Sequence, residues 1–420
     1  MTPILRIALA TVQLVALLVG TAVAQDKTPL SLPPQYFGMH IHNADTGTPW
    51  PGRGVGAWRL LDARVNWFNL QPEKGRWDFQ KLDRLMAIAS LTKAEVLLPL
   101  AFPPRWATAR PDEKGAYGMG SAAEPRDMED WRVYVRTVVQ RYKGRIKGYE
   151  IWNEPMAMDF FSGTPEALVA LQKEAYQIIK TIDPDAIVVS AAVGEDAPKA
   201  LEWFRRYVEA GAARYADVIG YHYYFAKTEP EAALGLTPKL RAILTRYGAS
   251  KPIWNTEAGW QIENEDGSRT TQGIDVWWKL LTSRQAASYV IRALLVTRLA
   301  GAERYYWYSW DHKGMGLMEP ATSKPKLAGR VYAALSERLA GGAITSCQQE
   351  GQLWRCALVD KNGESMLALW ARDGQRGSVT ARSEWGNEIW RPVDETSEKV
   401  TIGAQVVVTS EPIFFVSARR

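Results

Sequence analysis

The 420-residue chain has no run of lysine or arginine, and this removes nucleic acid from its expected partners. It has no internal repeat and no low-complexity segment, so a solenoid or a disordered scaffold is excluded. Cysteine occurs twice, as Cys347 and Cys356, and histidine four times. No cysteine falls in the first 24 residues, so a lipid-modified N-terminal cysteine has no support.

What those residues do contain is a processing signal. Arg6 gives a positive start, the stretch from Ile7 to Ala24 is nearly all apolar, and Ala22-Val23-Ala24 has the small-x-small form of a cleavage site. A signal peptide over residues 1–24 is expected, and a periplasmic or secreted protein with it. An uncleaved run of this length would instead serve as a membrane anchor. The sequence pI of about 9.0 is compatible with an acidic polymer partner and equally with an ordinary solvated basic surface. The two cysteines flank Gln348-Gln349-Glu350-Gly351, which reads as a hairpin turn, and a structural disulfide across it suits an oxidising compartment.

From residue 36 to residue 341, strand-like apolar runs alternate with segments of helical period. The strands are Tyr36–His42, Ala57–Leu61, Glu95–Phe102, Lys147–Trp152, Ile187–Val193, Asp217–Tyr223, Pro252–Glu257 and Arg304–Trp310. Helices are expected over Phe79–Ser90, Glu129–Tyr142, Pro165–Ile182, Pro198–Ala210, Pro230–Arg246, Arg284–Leu299 and Pro325–Leu339. The unit after the first strand carries Gly47, Pro49, Pro51 and Gly52 where a helix should be. Alternation of this kind calls for a parallel sheet, and eight strands call for closure. The expected fold is α/β, a (β/α)8 TIM barrel over 25–341. Gly341-Gly342 marks the boundary. Short alternating runs beyond it predict a small C-terminal antiparallel β-sandwich over 342–420.

In a closed barrel, reactive groups gather where strands end. Strand 1 offers His40 and His42, strand 2 leads from Arg59 to Asp62, strand 4 ends at Asn153-Glu154 and strand 6 at His222 and Tyr224. Strand 7 ends at Glu257, and strand 8 at Trp310-Asp311-His312. All four histidines fall on this one face. Glu154 and Glu257 reach it from opposite sides, as cleavage of a glycosidic bond requires. Glu154 suits the acid/base, with Asn153 holding a sugar hydroxyl, and burial plus the Glu257 charge should raise its pKa. Glu257 suits the nucleophile, oriented by His222 and Tyr224 and kept ionised by Arg59. Among 18 tryptophans, Trp106, Trp152, Trp260, Trp307 and Trp310 lie at strand ends, where they would either stack on sugar rings or pack the barrel mouth. Long loops at 103–126 and 261–282 suggest a groove for a polymer and endo cleavage.

The ordered motifs Phe37–His42, Trp58-Arg59-Leu60, Pro72–Gly75, Tyr149–Pro155, Val218–His222 and Trp254–Trp260 resemble the clan A retaining glycoside hydrolases, and more narrowly family 39. Among these they are similar to bacterial enzymes encoded with exopolysaccharide export machinery, the Psl-type matrix endoglycosidases. The resemblance implies acid/base at Glu154, nucleophile at Glu257 and support from Arg59, His222 and Tyr224. It also implies a polysaccharide or oligosaccharide substrate, no cofactor or metal, possible association with export machinery, and a monomer. Two other classes stay open. His40, His42, His222 and Asp311 also suggest a metal-dependent hydrolase, although strand 5 supplies no ligand. A non-catalytic polysaccharide-binding or export protein would keep the groove without turnover.

Overall fold

The computed structural model describes residues 28–225, 227–269 and 278–417, and the expected signal peptide lies outside the described residues. Eight barrel positions follow one another: β1 (Phe37–His40), β2 (Ala57–Arg59), β3 (Glu95–Leu100), β4 (Gly148–Ile151), β5 in two pieces (Ile187–Val189 and Val193–Gly194), β6 (Ile219–His222), β7 (Ile253–Ala258) and β8 (Ala302–Trp307). All neighbouring pairs are parallel. The interrupted β5 stands at both ends of the sheet order, its first piece beside β4 and its second beside β6. Bridges Asn153↔Ala192 and Val189↔Val218 join across the interruption. The sheet therefore closes on itself.

Among the described residues, seven helices of twelve or more residues cover the outside: α1 (Gln80–Thr92), α2 (Met128–Tyr142), α3 (Pro165–Ile182), α4 (Pro198–Glu209), α5 (Ala233–Arg246), α6 (Ser283–Leu299) and α7 (Leu327–Leu339). Their starts follow local chemistry. Thr164 accepts from the Ala167 amide and Pro165 occupies the first helical position. Thr282 and Gln285 form a capping box at the start of α6. The connection from β1 to β2 has only a 3-10 turn, Ala44–Thr46, as its glycines and prolines imply.

Apolar packing forms two layers. A large cluster fills the space between helices and sheet. Inside the barrel, Ala57, Leu97, Val189, Val218, Trp254 and Tyr306 make a smaller one. Above this plug the interior turns polar. Arg59 follows Ala57 by two residues, and Glu150 follows Gly148 by two, so strand alternation points both side chains inward at the next level.

The C-terminal region is a seven-stranded sheet with a two-stranded sheet, Gly377–Thr380 and Gln405–Val408, beside it. Two expectations change here. Strand Leu30–Leu32, assigned to the barrel region from sequence, pairs antiparallel with Gly342–Glu350 at the edge of this other sheet. The cysteines are joined, but the turn is at Gly351-Gln352, because the strand runs on through Glu350 and places Cys347 directly opposite Cys356.

Candidate functional site

Two local distortions aim the glutamates. Along β7, regular alternation would send Trp254 and Glu257 to opposite faces. A bulge intervenes: Tyr221 pairs with Asn255 and His222 with Glu257, so one residue of β7 is left over. Trp254 then packs in the inner plug while Glu257 also faces the barrel axis. At the end of β4, Trp152 adopts φ +79° and Glu154 φ +43°, unusual for non-glycine residues. The Trp152 indole turns outward to donate to the Phe160 carbonyl, and Asn153 turns inward. Gly194 leaves the space that Glu154 needs, since a Cβ there would lie 3.2 Å from Oε1.

Arg59 is the centre of the arrangement and is fully buried. Its Nε donates to Glu150 Oε2 at 2.7 Å, Nη1 to Glu257 Oε2 at 2.8 Å and Nη2 to Asn153 Oδ1 at 2.7 Å. The other oxygen of Glu257 accepts from the Tyr224 hydroxyl at 2.7 Å. His222 Nδ1 lies 2.8 Å from Glu154 Oε1 and 4.0 Å from Glu257 Oε1. Oxygens of Glu154 and Glu257 approach within 4.8 Å of each other, with the His222 nitrogen equally close. Glu154 is the more open of the two, its side chain 18% exposed against 8% for Glu257.

Burial pushes both carboxyls up, each to about 7. What opposes burial differs. Glu257 is drawn down by His222 and Arg59, whose guanidinium it contacts directly, and by the Tyr224 bond, while Glu154 repels it. Glu154 feels Arg59 without touching it and is pushed further up by Asp159 and Asp62. The repulsion expected from Glu257 onto Glu154 therefore comes from other carboxylates. Direct donors on both its oxygens favour the ionised form of Glu257, whereas Arg59 acts on Glu154 without contact. Burial lowers His222 to about 4, so its ring is neutral near pH 7.

Other expected residues are placed differently. His222 serves Glu154 rather than Glu257, because the bulge carries Glu257 past it. His40 is fully buried and its Nε2 lies 3.0 Å from the Thr256 carbonyl, so it braces the bulge instead of facing the mouth. Trp260, Trp307 and Trp310, considered as sugar platforms, are at most 1% exposed, and Trp152 is equally buried. Trp260 and Trp310 donate to the carbonyls of Phe225 and Pro49, and Trp307 packs on Trp260. A ring with no free face cannot stack on a sugar. Trp106 does sit at the rim, in a shallow hollow with Pro72, Lys74, Arg105 and Pro111.

The metal set proposed from sequence does not assemble. His42 and Asp311 are neighbours at 3.7 Å, but Asp311 is taken up by the amides of His42 and Asn43 and by Thr48, while His222 faces Glu154. Among the described residues, Glu154, His222 and Glu257 are the group close enough to share an ion. A cation there would compete with a guanidinium already 2.8 Å from Glu257, so the donors present suit a carboxyl pair better.

Three participants escaped the sequence reading. Glu150 is the buried partner of Arg59, and a charged residue at an inward strand position was its signal. Tyr308, ringed by His40, His42 and His312, follows β8. Tyr117 arrives from the loop at 103–126, and nothing in its local sequence marks it.

Comparison with known proteins agrees with this geometry. Residues 138–322, which contain both glutamates, match the family model described as glycosyl hydrolase catalytic core. This part of the chain is similar to that catalytic core. A curated relative, β-galactosidase BbgII of Bifidobacterium bifidum, is 31% identical over 136 residues, 28% of this chain and 19% of the relative. The chain thus spans about a fifth of that protein. Among solved structures, a family 39 glycoside hydrolase from Bacteroides cellulosilyticus superposes with TM-score 0.68 at 17% identity, covering 93% of this chain and 82% of that one. A family 39 β-xylosidase from Caulobacter crescentus gives 0.62 at 16% identity, covering 94% and 98%. The fold, barrel and C-terminal β domain together, is similar to that of those two structures.

Proposed function

We propose that the chain is a retaining glycoside hydrolase, with Glu154 as acid/base and Glu257 as nucleophile. The observation that carries this reading is the approach of their oxygens to within 4.8 Å. Retaining enzymes hold their carboxyl groups about 5–5.5 Å apart, whereas inverting enzymes leave roughly 6.5–9.5 Å for a water. The spacing here falls on the retaining side of that division.

The surroundings divide the two roles. Glu257 is fixed through both oxygens by Arg59 and Tyr224, as a nucleophile with one direction of attack should be. Glu154, more exposed and out of contact with Arg59, is raised to about 7 by burial and is placed to deliver its proton to the leaving oxygen. In the second step it must take a proton from water. Its bond to neutral His222 serves both states: the acid donates to Nδ1 in one ring tautomer, and the carboxylate accepts from Nδ1–H in the other. Asn153, anchored by Arg59 through Oδ1, has its amide nitrogen left to meet a sugar hydroxyl.

For the substrate we propose a bacterial exopolysaccharide cleaved internally, in a periplasmic or secreted setting. The expected signal peptide, the resemblance of the ordered motifs and the rim hollow at Trp106 support this. The test is Glu154→Gln and Glu257→Gln on oligosaccharide release, with product stereochemistry followed by NMR. Both variants should bind polymer and lose release, by about 10²–10⁴-fold for the acid, and the first-formed product should keep its anomeric configuration. Wild-type release rates in both variants, or an inverted product, would refute the assignment.

A further inference from the structure

Three residues beyond Arg59 the chain leaves β2 and brings Asp62 to the barrel mouth, its side chain 23% exposed. Two hydroxyls from distant segments hold it. Tyr117 donates to Oδ1 at 2.5 Å and Tyr308 to Oδ2 at 2.8 Å. His42 brings Nε2 to 3.8 Å from Oδ2. Both tyrosines are locked in place, Tyr117 against Phe102 with ring centroids 4.4 Å apart, and Tyr308 among three histidine rings. Burial first, then the Asp62 and Glu257 charges, keep both hydroxyls protonated and hence donors. Tyr308 follows β8, which pairs with the strand that carries Glu257, so Asp62 and Glu257 stand at the same end of the barrel.

A carboxylate has about four acceptor directions. The tyrosines use one on each oxygen, which leaves one on each for a ligand entering the mouth. Two hydroxyls on adjacent carbons of a sugar ring match that pair. A sugar carboxylate does not, because it would meet Asp62 and Glu257 together. Arg59, the cation in contact with Glu257, is fully buried and engaged with Glu150, Asn153 and Glu257, so it offers an entering acid no exposed partner. The basic overall composition is thus no guide to the charge of the sugar at the cleavage point.

We propose that Asp62 is a sugar-binding residue that accepts two ring hydroxyls and makes this site select an uncharged sugar over the corresponding uronate. The proposal rests on the glycosidase reading above and names its substrate class. The full chain and its Asp62→Asn variant are titrated by ligand-observed NMR with methyl β-glycosides of gluco, galacto and manno configuration and with the matching methyl β-uronosides. Turnover of the 4-nitrophenyl counterparts is measured in parallel. Hydrogen bonds to a charged group at about 1.5–3 kcal/mol predict roughly 10- to 100-fold weaker neutral-sugar binding in Asp62→Asn. The uronoside should change little, so the preference for the neutral partner shrinks. Tyr308→Phe, which leaves the Asp62 charge in place, should weaken neutral binding yet keep the preference, and it serves as the control should Asp62→Asn fold poorly. Failure of the wild type to prefer the neutral partner in any configuration overturns the proposal. So does a neutral-to-uronoside ratio unchanged in Asp62→Asn. Neutral preference without turnover would instead count against the glycosidase reading and leave Asp62 as a sugar-binding residue.

Discussion

Replacing Tyr224 by Phe tests how the nucleophile is kept ionised. The phenol donates to Glu257 Oε1 at 2.7 Å while Arg59 holds the other oxygen at 2.8 Å. Phe keeps the ring, which is 8% exposed, so no cavity opens and the change is confined to one donor. A hydrogen bond to a charged group contributes about 1.5–3 kcal/mol, and 1.36 kcal/mol is one pKa unit. Because the bond favours the carboxylate, its loss raises the Glu257 pKa from about 7 by roughly 1–2 units. The acid limb of kcat/KM should move to higher pH by that amount. At a pH one unit below the wild-type limb, the rate should fall about 10- to 100-fold and largely recover at alkaline pH. The assay is a pH profile on an aryl glycoside with a good leaving group, which makes the rate insensitive to Glu154. An acid limb that stays in place, or moves to lower pH, would show that Tyr224 does not hold Glu257 ionised.

Three further outcomes follow from the same contacts. Glu154 and Glu257 have folded pKa values raised to about 7 from 4.5, so between those values the folded state binds more protons than the unfolded one. Their contribution to stability should then fall as pH rises from about 4.5 to 7; urea midpoints across that range should decline less in the Glu154→Gln/Glu257→Gln double variant, and an unchanged slope would contradict the burial argument. Arg59→Lys cannot span Glu150, Asn153 and Glu257 with one ammonium, and leaving a buried carboxylate uncompensated should cost about 3–5 kcal/mol in chemical denaturation. Trp307→Ala should cost about 3–5 kcal/mol of stability as a buried core residue, whereas Trp106→Ala, at a half-buried ring that donates to the Gln71 carbonyl, should cost less stability and raise KM for long oligosaccharides.

Most of the barrel was legible because its elements obey local rules. Helix α3 has its threonine cap, its proline at the first position and an apolar face, and its bounds from sequence coincide with those observed. The short alternating runs beyond Gly341-Gly342 were equally plain and became strands such as Ser365–Ala371 and Ile413–Val416. Strand Leu30–Leu32 was not, since three residues carry too little pattern to say which sheet they join. The strand-end tryptophans were ambiguous for a related reason: an indole at a barrel mouth looks the same in sequence whether its face meets solvent or Tyr289.

From the chain of residues alone came the alternation that closes a barrel and the placement of Asn153-Glu154 and Glu257 at strand ends. The gathering of every histidine on one face was visible there too. These depend on periodicity and on neighbours within a few positions. Only the folded molecule decided that His222 attends Glu154 and that Arg59 is shared with Glu150. It also decided that Tyr117 and Tyr308 reach Asp62 from 55 and 246 residues away. A bulge in β7 and left-handed residues after β4 set the pairing of His222 with Glu154. Each shifts the facing of a strand by one residue, and the energy that sustains such a shift comes from contacts remote in sequence.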